Sequence, residues 1–153
     1  MTTETAVRGV PKQLGHIALR VRDLPRAIEF YRDLLGLELK NEHGGRVAFL
    51  GIREDASHEL ALFALGPDAP GPEDGRVGLY HMAWEMASFA ELEALHERLK
   101  ARGADIAGYS DGQCNVMFRD PDGNELEAIW EPAADEVERL KAPGGPGMPK
   151  LKR

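Results

Sequence analysis

Residues 15–21, GHIALRV, and residues 80–86, YHMAWEM, carry one pattern: a histidine in second place, then alternating apolar positions. The two histidines, His16 and His81, lie 65 residues apart. Beyond each histidine the plan is shared as well. After His16, Asp23 stands near a helix start and Pro25 in its first turn, where a missing N–H costs little. Ala27, Ile28, Tyr31, Leu34 and Leu35 then recur at helical spacing, and Gly36 can end the helix. After His81, Ser88 and Glu91 form a capping box for a helix over residues 88–103. Three short strands are predicted behind each helix, at 37–41, 46–52 and 58–65, and at 104–109, 113–119 and 124–130. The last two are joined by DPDG, residues 120–123, which suits a type I turn. Between the halves, GPDAPGPEDG (66–75) is too rich in Pro, Gly and Asp to continue any element. A strand–helix–three-strand unit leaves one sheet face uncovered, so two must pair. The expected fold class is α+β: two tandem βαβββ modules, 13–65 and 77–132, joined by a linker at 66–76. Together they form a curved mixed sheet around a cleft, in one domain spanning 1–132. Residues 133–153 are expected to add a short helix and a partly disordered tail.

Composition excludes several functions for such a chain. Its 153 residues carry a net charge of −7, which argues against nucleic acid as a partner. No apolar run approaches the roughly 20 residues of a membrane span, and the N-terminus lacks a long apolar leader. One cysteine, Cys114, allows no internal disulfide and fits a reducing compartment, so a cytoplasmic location is expected. Open sheet edges need covering, and paired modules tend toward two-fold assembly, so the expected partner is a second copy in a homodimer.

Strand alternation then picks out chemistry. Ile17, Leu19 and Val21, like Met82, Trp84 and Met86, form the sides that should pack on the helices. His16 and His81 must point into the cleft. In NELEAIW, residues 124–130, Leu126, Ala128 and Trp130 take the helix side, leaving Glu125 and Glu127 toward the cleft. An unpaired carboxylate in an apolar strand costs several kcal/mol. A divalent metal held by His16, His81 and Glu127 would remove that cost. Two histidines and one carboxylate with open positions is the triad of non-haem Fe(II) oxygenases, and it also suits Mn, Ni or Zn. Counting along the repeat places Leu62 in the symmetric fourth slot, an apolar side chain rather than a ligand. Three protein ligands leave room for substrate, the pattern of a catalytic metal. His58, on the strand of Leu62, is either an acid–base residue beside the metal or a solvated histidine at the strand mouth. His43, in a turn, and His96, on a charged helix, are expected at the surface. Cys114 is expected to pack as a small hydrophobe.

The stretches GHIALRVRDLPRAIEFYRDLLGLEL, YHMAWEM and FRDPDGNELEAIW resemble the vicinal oxygen chelate superfamily over residues 13–131. That superfamily includes glyoxalase I, extradiol ring-cleaving dioxygenases, fosfomycin-resistance enzymes and bleomycin-resistance proteins. The resemblance implies paired βαβββ modules around one metal, with His16, His81 and Glu127 at its ligand positions. SHELALF, residues 57–63, looks most like the extradiol enzymes, whose acid–base histidine would here be His58. The activity implied is Fe(II)-dependent cleavage of a catechol-type aromatic with O2. The alternatives are a glyoxalase-type isomerase or lyase, in which Glu127 or His58 moves the proton, and a metal-free ligand-sequestering protein of the bleomycin-resistance kind. The chain departs from the family in having Met117 where a tyrosine often stands ten residues before the carboxylate ligand.

Overall fold

The computed structural model describes residues 9–110 and 114–153. The first eight residues, which the expected domain included, lie outside it, as do 111–113 at the start of the expected strand 113–119. The order along the chain is β1 (Ile17–Val21), α1 (Leu24–Glu29), β2 (Glu38–His43), β3 (Val47–Gly51) and β4 (Leu60–Ala64), then β5 (His81–Glu85), α2 (Phe89–Ala101), β6 (Asp105–Gly108), β7 (Asn115–Arg119), β8 (Glu125–Ile129) and α3 (Ala134–Lys141). The repeat is therefore real at the level of elements: βαβββ, twice.

Each module forms its own four-stranded sheet, β1-β4-β3-β2 and β5-β8-β7-β6. Both are mixed, with the first and last strands parallel and the other pairs antiparallel. Among the described residues the two sheets are separate, with β1 and β5 each an edge strand.

Local chemistry explains the element ends. The Asp23 carboxylate accepts the Arg26 N–H, capping α1 with Pro25 in its first turn. The helix then widens into a π-helical turn, Phe30–Leu34, in which the Leu35 N–H donates to the Phe30 carbonyl. Phe30, Tyr31, Leu34 and Leu35 are all buried there. Gly36, at φ 96°, stops it in a conformation other residues avoid. Ser88 accepts the Glu91 N–H at the start of α2. In the β7–β8 turn the Gly123 N–H donates to the Asp120 carbonyl, as the DPDG sequence requires.

One continuous core runs through both modules. Its inter-module seam lies on the helix side: the Phe30 ring sits 6.2 Å from that of Phe118, and Arg98 Nε donates to the Leu34 carbonyl. Tyr31 donates its hydroxyl to Asp120 Oδ2 at 2.7 Å. The Arg22 backbone N–H and guanidinium both donate to the Asp122 carboxylate, and Arg22 Nε also donates to Ala69 of the linker. The tail 142–153 lies along module two. Met148 and Leu151 give it apolar anchors, Cys114 Sγ donates to the Pro149 carbonyl, and the Arg153 guanidinium covers the Tyr109 ring at 5.2 Å. No described helix is long and apolar enough to cross a membrane.

Candidate metal centre

The structure divides the expected triad between the two sheets. His81 opens β5, and Glu127 lies in β8 opposite Ala83. Parallel pairing in this register puts both side chains on the face away from the helices, with His81 Nε2 3.3 Å from Glu127 Oε2. His16 immediately precedes β1 in the other module. Its ring meets that of His58 at 4.6 Å, and His58 meets Phe49 at 4.7 Å. Among the described residues, no three His, Cys, Asp or Glu side chains are gathered closely enough to hold a metal ion. One chain thus keeps two separate pairs, His81 with Glu127 and His16 with His58.

The first of these fits a cation. Glu127 is only 9% exposed; one of its oxygens accepts a hydrogen bond from the Asn115 amide and the other faces His81. When His81 Nε2 carries no proton, its lone pair faces a carboxylate oxygen, and a divalent ion is the natural resolution. His81 Nδ1 is buried with no hydrogen-bond partner, whereas a metal-bound imidazole normally has its far nitrogen engaged. The donor set suits a metal, and His81 with Glu127 supplies two of the three expected donors.

Three sequence expectations change at this point. The residue equivalent to Glu127 is Ala61 rather than Leu62, because Ala18 pairs with Ala61 where Ala83 pairs with Glu127. Module one is one residue shorter between its first and last strands, which shifts the count. Leu60 and Leu62 point into the core, and Ala61 supplies the apolar fourth position. His58 is not on β4 but in the bend before it, half-buried, with Nδ1 3.0 Å from Ser57 Oγ. His96, expected at the surface, is 1% exposed and hydrogen-bonded through Nε2 to the Tyr109 hydroxyl at 2.7 Å. Burial pushes its pKa down. His43 is exposed at the end of β2, edge-on to Phe49. Burial raises the Cys114 thiol pKa, away from a reactive thiolate. Asn115 was missed; its signal was its place on β7 with Met117 and Arg119, on the face that Glu127 shares.

Both cleft faces are open. Ala18, Arg20, Ala83 and Glu85 are exposed, and so are the apolar Leu14, Phe63, Leu65, Val77, Leu79 and Tyr80. Grooves of about 910 and 970 Å³ flank the linker, lined by none of His16, His58, His81 or Glu127.

Residues 13–128 match the Glyoxalase/Bleomycin resistance protein/Dioxygenase superfamily. The chain belongs to it. Among its relatives, the manganese-dependent 2,3-dihydroxybiphenyl 1,2-dioxygenase of Geobacillus genomosp. 3 is 31% identical over 95% of this chain and 41% of its own length. The lactoylglutathione lyase of Haemophilus influenzae is 30% identical over 76% of this chain and 91% of its own. A glyoxalase/dioxygenase structure from Nostoc punctiforme superposes with a TM-score of 0.67 at 26% identity, over 87% of this chain and 100% of that one. This superfamily member therefore spans less than half of the dioxygenase it matches. Members of the superfamily typically bind a divalent metal.

Proposed function

We propose that this protein is a metal-dependent enzyme acting on a small substrate with two vicinal oxygens, its centre shared between two copies of the chain. His16 of one copy would join His81 and Glu127 of the other. The observation that carries this reading is the His81–Glu127 pair at 3.3 Å on an open sheet face, with the remaining donor of the repeat held elsewhere in the same chain. The exposed apolar residues around the linker and strand edges would be covered by the second copy.

The preferred reaction is extradiol cleavage of a catechol-type aromatic by O2, which the dioxygenase relatives support. A divalent metal, Fe(II) or the manganese named for one relative, would make a bound catechol more acidic and hold two reactants side by side. His58 would take a proton from the substrate hydroxyl and return it later. Its Nδ1 meets Ser57, which leaves Nε2 for that exchange. The contact of the His58 ring with that of His16, the proposed ligand, supports this role.

A second reading, a glyoxalase-type isomerase or lyase, draws support from length. The chain spans 91% of the Haemophilus lyase but 41% of the Geobacillus dioxygenase. In that case Glu127 or His58 would move the proton, although Ala61 cannot complete a four-ligand centre. The test is the metal content of natively purified protein beside Glu127→Ala. About one ion per chain is expected, lost in the variant. Iron or manganese would favour oxygen chemistry, and nickel or zinc isomerisation. No metal after anaerobic reconstitution would overturn the enzyme reading in favour of a ligand-sequestering module.

A further inference from the structure

We infer that Asn115 is the positioning residue of the centre, fixing Glu127 so that a single oxygen, Oε2, is presented to the cation. This rests on the metal reading above. Asn115 is 1% exposed, and every polar atom of its side chain is engaged. The Ser110 backbone N–H donates to Asn115 Oδ1 at 2.9 Å. A backbone N–H can only donate, so the carboxamide oxygen must face it and the amide nitrogen must face the other way. The two N–H bonds of Nδ2 are then both spent, one on Ser110 Oγ at 3.1 Å and one on Glu127 Oε1. The direction of this amide is thus dictated by the backbone rather than chosen by the carboxylate.

For Glu127 the consequence is asymmetry. Oε1 is occupied by a neutral donor, while Oε2 faces His81 Nε2. A carboxylate with both oxygens free can swing or bind through both; one held at Oε1 offers Oε2 alone. Partners that orient a ligand in this way are typically worth about 10–100-fold in metal affinity. Asn115 touches neither substrate nor metal in this scheme and acts through Glu127.

The experiment compares parent, Asn115→Ala and Asn115→Leu, the latter keeping side-chain volume so that the test survives if the smaller residue prevents folding. Mn(II) dissociation constants are measured by titration, and apo proteins are matched by circular dichroism. Infrared difference spectra of Mn(II)-loaded against apo protein, with 13C-glutamate labelling, read the separation of the carboxylate stretches. The expected result is Mn(II) binding weakened about tenfold or more, with a narrower stretch separation as the second oxygen joins the metal. A merely structural asparagine would not move that separation. Unchanged affinity and spectrum in a folded variant, with binding still abolished by Glu127→Ala, would overturn the role of Asn115 and leave the metal reading standing. A parent that takes up no Mn(II) would overturn both.

Discussion

Histidines show how differently the same residue type is used in this chain. His81 and Glu127 share an open face, the His16 and His58 rings meet in the other module, and His96, on α2, is buried against Tyr109. If His58 moves protons, His58→Ala should retain the parent's metal content while losing turnover of the identified substrate by about 10²–10⁴-fold; a fully active variant removes it from the mechanism. His96 makes a separate prediction about stability. Its pKa is lowered in the folded state, chiefly by desolvation, with Lys100 adding to the shift and Glu97 and Glu93 opposing it. The unfolded chain therefore takes up a proton near pH 6.5 that the folded chain resists. The stability associated with neutral His96 is fully present above that pH and declines as pH falls toward the folded value. Urea unfolding between about pH 7.5 and 5.5 should show this decline, and His96→Gln should flatten it. The sequence could not reveal this histidine's environment. Its helix is dense with charge, and only the pairing of α2 with Tyr109 buries it.

At the scale of elements, period and punctuation in the sequence sufficed to locate both modules. The Asp23 and Ser88 caps, Gly36 and the DPDG turn all act as their chemistry dictates. Two things escaped. Strand alternation cannot register a one-residue difference between modules, so Leu62 stood in for Ala61 until pairing with Ala18 fixed the count. Nor can it say which faces of two modules meet. That is decided by contacts such as Tyr31 with Asp120, a carboxylate that also accepts the N–H groups of Asp122 and Asn124 and the Asn124 amide. Desolvation by burial and the neighbouring Asp120 both hold the Tyr31 hydroxyl well above its usual pKa, so it stays a donor. Tyr31→Phe leaves this buried carboxylate short of one partner. The expected cost is about 1–3 kcal/mol, read in a thermal melt as about 2–4 °C lower Tm for each kcal/mol.

For the whole molecule, the same seam bears on where the proposed centre would form. Tyr31–Asp120, Arg22–Asp122 and the Phe30–Phe118 contact join the modules along their helix side. The cleft faces are left open, and on the proposed reading His16 of a second chain would complete the centre of His81 and Glu127. That geometry calls for a complementation experiment. His16→Ala and Glu127→Ala homodimers should each be devoid of metal, because every shared centre contains the lesion. In a mixed dimer both lesions fall in one centre, and the other combines native His16 with native His81 and Glu127. Random one-to-one co-assembly makes about half the dimers mixed, with one intact centre of two, so metal should return to about a quarter of the parent level. If the centre instead formed within one chain, every centre in every dimer would carry a lesion, and mixing would restore nothing.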